Sequence, residues 1–323
     1  MLNPVHLRTL QECVRTGSFA GAARVLGYTA SAVSQQMVLL ERSVGAVLFE
    51  RRAHSTHSTE LAHRLAERSR GALAALDSLE RETRALVAGD QGSLRLASFA
   101  TANARVLPDV LAAIVAQRPN AEVQLDEGEP DEVIGGVLDG VLDAAVVFEY
   151  DLDPRQWPPE LCVEELLAEP LLLALPETHR LADAAEVELR ELAGDTWICT
   201  REDTAGARSL VHLAAAAGFV PGIVFRSNDY AVIRDLVARG LGTALLPALA
   251  VAECRVRVLP IAEGQPYRRI KVLYRTQNTN PLLPPALECL ATSCSALAEG
   301  WRGGDDTRYR PGVSDHDQSR RAQ

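Results

Sequence analysis

Residues 17–51, GSFAGAARVLGYTASAVSQQMVLLERSVGAVLFER, constrain this chain more than any other stretch. Ser18 can cap a helix with its hydroxyl, and Gly27 can end it in the left-handed region. Between them Phe19, Ala22, Ala23 and Leu26 recur at helical spacing. A turn at Gly27 and Tyr28 follows, and Thr29 can cap a second helix over 30–43. On that helix Val33, Met37 and Leu40 form an inner stripe, with Ser31, Ser34, Gln35 and Gln36 largely off it. Two short helices joined by a glycine-bearing turn make a helix-turn-helix, whose second helix enters the DNA major groove. Hydroxyls and amides suit that position, because they donate to and accept from base edges. Plain core packing of a small-residue hairpin is the competing reading of the spacing alone.

Net charge is −10, which argues against nucleic-acid binding until it is divided along the chain. Residues 1–58 hold six arginines and three glutamates, a surplus of three positive charges, so the remainder carries −13. A basic head on an acidic body fits a DNA-binding module joined to a part that avoids DNA. Length predicts two or three domains. No apolar run reaches the ~20 residues of a membrane span, and no export signal opens the chain, so a cytoplasmic location is expected. The six cysteines make no CxxC pair or metal-type cluster. They read as buried small hydrophobes, with redox sensing as the alternative and Cys199 its best candidate. No metal or cofactor is expected.

The head continues on both sides of the hairpin. Asn3 and Pro4 open a first helix carrying Leu7, Leu10 and Val14. Residues 48–51 predict a short strand and 52–58 a polar loop, together a wing that would set Arg51 and Arg52 on phosphates. Thr59 caps a long helix to about residue 88. Its Leu65, Ser69, Ala72, Leu76, Leu79, Thr83 and Leu86 alternate by four and three, a seam for pairing with a second copy. A helix folded back on its own chain is the alternative. Gly89, Asp90, Gln91 and Gly92 mark a boundary.

From residue 93 strands and helices alternate. Strands are predicted at 94–97, 121–127, 144–148, 165–175, 197–200, 222–227, 243–246 and 270–274. Helices are predicted at 103–117, 131–140, 204–217, 229–239 and 284–297. Apolar strands of this kind belong to a parallel sheet covered on both faces. Two sets joined by two crossing strands make a hinged clamp. Lobe I would take 91–165 and 267–298, and lobe II 166–266. Residues 299–323 have the composition of a disordered tail.

Ligands of such sheets lie beyond the carboxyl ends of the strands. Those ends deliver Ser98, Phe99, Ala100, Thr101, Glu127, Thr200, Arg201, Ser227, Asn228 and Leu246. Hydroxyls and helix N-termini there suit a small anion such as a carboxylate, with Arg201 as its charged partner. Plain helix capping is the alternative for Thr204 and Asn228. Glu127 and Glu129 speak against a strongly anionic ligand, a conflict the sequence leaves open.

Gly17-Ser18-Phe19, Ala22-Ala23, Leu26, Ser31-Ala32-Val33-Ser34, Leu40-Glu41, Gly45, Leu48-Phe49 and Arg51 together resemble the LysR-type transcriptional regulators. The resemblance continues to about residue 297 and is specific in the order and spacing of these positions. It implies an N-terminal all-α winged helix-turn-helix with a long linker helix at 59–90. After it comes an α/β two-lobed domain like the periplasmic binding proteins. It implies DNA contacts at Ser18, Thr29, Ser31, Ala32, Ser34, Gln35, Gln36, Arg51 and Arg52, and a small-molecule effector in the cleft, with Thr101 the best-matched contact. Double-stranded promoter DNA, self-association into dimers and a tetramer, and RNA polymerase are the implied partners. The sequence departs from the family at Ala30, Ala62 and the wing's His54-Ser55-Thr56-His57, so operator preference does not carry over. A solute-binding protein shares the clamp, but it needs an export signal and not the first 90 residues. An enzyme lacks support, since no nucleophile elbow, P-loop or HExxH is present.

Overall fold

A computed structural model describes residues 2–52, 55–88, 92–251, 256–262 and 264–302. Side chains of 51, 52, 55, 56, 81, 82, 84–88 and 300–302 fall outside that description. So do Gly89 to Gln91, Cys254 and the tail beyond 302, on which the expected break, thiol and disorder fall.

The head begins with α1 (Pro4–Thr16), α2 (Phe19–Leu26) and α3 (Ala30–Val44). Their caps are those the sequence implies. Asn3 Oδ1 accepts from Val5 N at 2.9 Å, Ser18 Oγ from Gly21 N at 3.0 Å, and Thr29 Oγ1 from Ala32 N at 3.2 Å. Gly27 closes α2 at φ 70°, a conformation glycine adopts without strain. The three helices share a core of Leu7, Leu10, Cys13, Ala22, Val33, Met37 and Leu40. Phe19 meets Phe49 edge to face at 5.0 Å. Glu41 Oε1 accepts from the N–H groups of Leu48 and Phe49, tying α3 to the next segment.

That segment corrects one expectation. Arg52 and Ser55 to Ser58 are strand and not loop: β1 (Phe49–Arg52) pairs antiparallel with β2 (Ser55–Ser58). Polar residues made the second strand read as loop, but a two-stranded wing is satisfied by its backbone pairing and needs no apolar face.

The linker helix α4 (Glu60–Ala88) divides the predicted seam. Ala62, Ala66 and Leu73 join the head core, Ser69 is buried under the Gln11 amide, and Leu65 is half-covered. Ala72, Leu76 and Leu79 are exposed, and the Leu86 side chain is among those not described. The first turns of the helix therefore pack on their own chain, while the later ones present apolar side chains outward.

The rest mixes strands and helices along the chain. In order come β3 (Ser93–Ser98), α5 (Ala100–Arg105), α6 (Leu107–Gln117), β4 (Glu122–Glu127), α7 (Pro130–Leu138) and β5 (Ala144–Tyr150). Then follow β6 (Leu161–Pro176), β7 (Thr196–Cys199), α8 (Ala205–Ala216), β8 (Gly222–Arg226), α9 (Tyr230–Ala238) and β9 (Thr243–Pro247). Finally come β10 (Val256–Leu259), β11 (Tyr267–Arg275) and α10 (Leu283–Arg302). The strand order is β4-β3-β5-β11-β6-β9-β7-β8, with β10 on β6. β3, β4 and β5 run parallel, as do β7, β8 and β9. β11 is antiparallel to β5 and to β6, so β6 and β11 are the two strands that cross between lobes.

Three details differ from the sequence reading. The helix expected at 103–117 is two helices, α5 and α6. Pro108, at the start of α6, supplies no N–H to continue the helix before it. β10 was not anticipated, although Val256 and Val258 alternate with Arg257. β11 starts at Tyr267, not Ile270, which brings Arg268 into the sheet.

The α4 helix also docks on lobe I. Ala74 packs against the turn after α7, where a Cβ on Gly140 would lie 2.7 Å from the Ala74 Cβ. Arg70 stands 3.5 Å from Asp139 beside it. Gly140 also sits at φ 74°. Gly140→Ala should therefore destabilise the chain by about 1–3 kcal/mol, read as a lowered denaturation midpoint. Gly135→Ala, whose Cβ would meet nothing within 4 Å on α7, should raise stability by about 0.5–1 kcal/mol. Equal shifts for both would contradict the docking.

Candidate functional site

Two surfaces carry chemistry, and the first is the outer face of α3. Val33, Met37 and Leu40 are buried there, which turns the other side of the helix to solvent. Ser31 and Gln35 are exposed, Ser34 and Ala32 half-exposed. Ser18 and Thr29 are exposed too, but each is engaged as a helix cap. Thr29 also shares a hydrogen bond with Ser31 Oγ at 3.0 Å. Gln36 is placed differently from its neighbours: its Oε1 accepts from the buried Thr9 hydroxyl, anchoring α3 on α1. That leaves its NH2 group as donor. Arg51 and Arg52 lie on β1, and their side chains are not described.

The second surface is a cavity of about 290 Å³ between the lobes. Phe99, Ala100 and Thr101 reach it from the end of β3, and Thr200, Arg201 and Asn228 from the ends of β7 and β8. Those six were expected. Ser98, Glu127, Ser227 and Leu246 do not line it. Ser98 is fully buried, with no hydrogen-bond partner for its hydroxyl. Glu127 accepts from the Asn103 amide at 3.2 Å, and Ser227 Oγ accepts from Asp229 N at 3.1 Å. Leu246 belongs to the lobe II core. Ser98 and Ser227 each stand one residue from a lining residue, Phe99 and Asn228, a difference that a reading of strand ends does not resolve. Thr204 caps α8 as the alternative held, whereas Asn228 does not cap, since Asp229 caps α9; both line the cavity. Thr204 Oγ1 accepts from Ala207 N at 3.2 Å, and Asn228 Oδ1 from Arg201 N at 3.0 Å.

The floor is built from residues the sequence did not single out. Arg268 of β11 and Glu169 of β6 face each other in register, and Arg268 Nε donates to Glu169 Oε1 at 2.6 Å. Their side chains are 1% and 0% exposed, so this is an ion pair wholly out of water. The pair grips both lobes. Arg268 Nη2 donates to Thr101 Oγ1 at 2.7 Å in lobe I, and Glu169 Oε2 accepts from Leu249 N at 2.6 Å in lobe II. The guanidinium also lies 4.9 Å from the ring centroids of Phe99 and of Phe148. Burial alone would lower the arginine's pKa; the field and hydrogen bond of Glu169 together with the fields of Tyr150 and Tyr230 outweigh it and raise the pKa.

Tyr150 and Tyr230 line the cavity from opposite lobes, and burial raises both hydroxyls. Arg208 of α8 adds a second tie, donating from Nε at 3.0 Å and Nη2 at 2.7 Å to Asp153. Arg201, the expected charged partner, is only at the rim: its side chain is 66% exposed and 3.8 Å from Asp203.

The thiols are mostly hidden. Cys13, Cys199, Cys289 and Cys294 are buried and Cys162 is half-buried. Burial pushes Cys13 and Cys294 up to about 12, and raises Cys199 as well. Buried thiols of this kind are poor thiolates.

The hinge pair generates a prediction. Arg268→Met leaves Glu169 buried without its partner and should lower stability by about 3–5 kcal/mol in denaturant unfolding. Arg268→Met with Glu169→Leu should recover most of that loss. A double variant no more stable than the single one would contradict the assignment.

Comparison with known proteins matches both halves of the chain. Residues 4–72 match the family described as "Bacterial regulatory helix-turn-helix protein, lysR family", and residues 88–295 match "LysR substrate binding domain". The HTH-type transcriptional regulator IlvR of Caulobacter vibrioides is 31% identical over 293 residues, 90% of this chain and 97% of that one. A small neutral protease regulatory protein of Streptomyces coelicolor is 29% identical, covering 91% and 92%. Among solved structures, full-length CbnR complexed with its target DNA superposes with a TM-score of 0.53 at 25% identity. That alignment covers 90% of this chain and 100% of CbnR. Full-length OxyR from Pseudomonas aeruginosa gives 0.58 at 20% identity, covering 91% and 95%, a likeness of fold.

Proposed function

The chain belongs to the LysR family of bacterial helix-turn-helix regulators, and we propose that α3 reads operator bases while the cleft senses a small effector. It is a DNA-binding transcriptional regulator with a C-terminal effector-binding domain. The observation that carries the reading is the division of α3 into a buried stripe and an exposed N-terminal face. Ser31, Ser34 and Gln35 would meet base edges, as helix N-termini do in the major groove. Arg51 and Arg52 on the wing would meet phosphates, fixing register without reading sequence.

Division of labour follows the sequence: 1–58 binds DNA, 59–90 pairs copies, and 91–298 senses. Ala72, Leu76 and Leu79 are the exposed part of α4 through which two chains would pair. Two dimers then assemble into a tetramer in the bacterial cytoplasm, a regulator and not an enzyme. Two heads on one DNA make up for the modest positive charge of each. No described helix is long and apolar enough to cross a membrane.

Effector binding acts through the crossing strands. β6 and β11 are the strands that cross between the lobes, and Arg268 and Glu169 sit side by side on them. A ligand that favours one lobe angle shifts that equilibrium; one that fits both equally shifts nothing. The change reaches the heads through α4, which docks on lobe I at Ala74 and Gly140. Re-spaced heads alter the access of RNA polymerase.

Mobility shift on DNA flanking the gene tests the head. Ser34→Glu sets a negative charge in the groove and should weaken binding at least tenfold; unchanged binding would refute the role of α3. A thermal-shift screen of metabolites tests the cleft. Thr101→Val removes the hydroxyl that accepts from Arg268 and should change the response to every true effector. Hits indifferent to it would remove the support for this cavity.

A further inference from the structure

The cavity's two walls make opposite electrostatic demands, and the sequence already hinted at the conflict. One wall is the N-terminus of α7. Its cap, Glu129, receives the N–H of Glu132, and Glu132 Oε2 in turn accepts from Glu129 N at 2.8 Å. Asp131 beside it is paired with Arg155. Glu129 itself has no ion-pair partner among the described residues, and burial raises its carboxyl despite the fields of Arg268 and Arg155. A carboxylate lining a cavity without a cation of its own favours a cationic group on the ligand.

The other wall is the N-terminus of α8. Thr204 satisfies Ala207 N, which leaves the N–H groups of Ala205 and Gly206 without intrahelical acceptors. Gly206 keeps this wall open, since a Cβ there would lie 3.0 Å from Thr200 Oγ1 and 3.2 Å from Tyr150 OH. Asn228 spends its oxygen on Arg201 N, so its NH2 is turned to donate. Arg201 and Arg208 stand at the same rim, each facing one carboxylate, Asp203 and Asp153, so the uncommitted donors of this wall are the backbone N–H groups and the Asn228 amide. These are donors for a carboxylate.

Between the walls lies the aromatic floor of Phe99, Phe148, Tyr150 and Tyr230. Its one charge, Arg268, is committed to Glu169 and Thr101 and adds no net demand. At ~30 Å³ per water-sized volume, 290 Å³ holds a ligand of about ten non-hydrogen atoms.

Taking the cleft as the effector site, we propose that its ligand is a small zwitterion, a free amino acid. Its ammonium would lie on Glu129 and its carboxylate on the α8 N-terminus. Its side chain would rest on the aromatic floor. The acidic residue that argues against a simple anion and the donors that call for one then serve two ends of one molecule.

The test is calorimetric titration of the full chain with the twenty proteinogenic amino acids. For each that binds, the acid lacking the amine and the amine lacking the carboxylate are titrated too. At least one amino acid should bind, and either deletion should weaken it tenfold or more. Glu129→Gln should remove the advantage over the des-amino acid while leaving that acid's own affinity in place. Glu129→Asp, which keeps charge and cap, should restore the advantage. The proposal is overturned if no amino acid binds, if a des-amino acid binds as tightly as its parent, or if Glu129→Gln weakens both alike. Binding of plain carboxylic acids alone would sink the zwitterion and leave the cleft as effector site. Binding of nothing from any class would remove both.

Discussion

Three side chains on α3 decide what this protein can present to DNA. Val33, Met37 and Leu40 are at most 1% exposed, locked against α1 and α2. Because a helix turns once in about 3.6 residues, burying that stripe fixes the direction of everything else on it. Ser31 and Gln35 must then face outward, and Gln36 must lean back onto Thr9. Capping by Thr29 sets where the helix starts, so the exposed residues occupy its first turns. The head needs no rigid arrangement beyond this. Its core extends through Ala62 and Leu73 of α4, so the same packing that orients α3 also orients the arm that would pair two copies.

The sensing half depends on a second constraint of a different kind. A buried arginine and glutamate on adjacent antiparallel strands are stable only while each has the other. Their remaining hydrogen bonds reach Thr101 in one lobe and Leu249 in the other. The hinge is therefore polar, satisfied and sensitive to the position of both lobes. A ligand in the cavity above it would sit against Phe99 and Tyr150 and against Thr101, which Arg268 bonds. Under the proposed function, lobe angle and ligand contact would be read by the same few atoms.

Local features were legible in the chain and long-range ones were not. Caps at Asn3, Ser18 and Thr29 and the turn at Gly27 involve residues a few positions apart, and each stands as spacing implied. The parallel strand sets also follow from apolar runs. The Arg268–Glu169 pair joins residues 99 apart, and nothing near either residue signals the other. Reading β11 from Ile270 hid the arginine further. Strand ends located the cleft, but membership depended on whether a residue lies within its strand or in the segment just after it. Thr101 and Thr200 enter it, whereas Ser98 and Leu246 turn into the core. The second wing strand was missed because Ser55 to Ser58 carry no apolar signal at all.

Base readout by α3 is the claim on which the rest of the function stands. The most direct measurement is the ratio of affinities for the operator and a scrambled duplex across a salt series, comparing the native chain with Ser31→Ala/Gln35→Ala. The account predicts that the ratio collapses while the slope of log affinity against log salt stays the same, since phosphate contacts are untouched. A preserved ratio would contradict it.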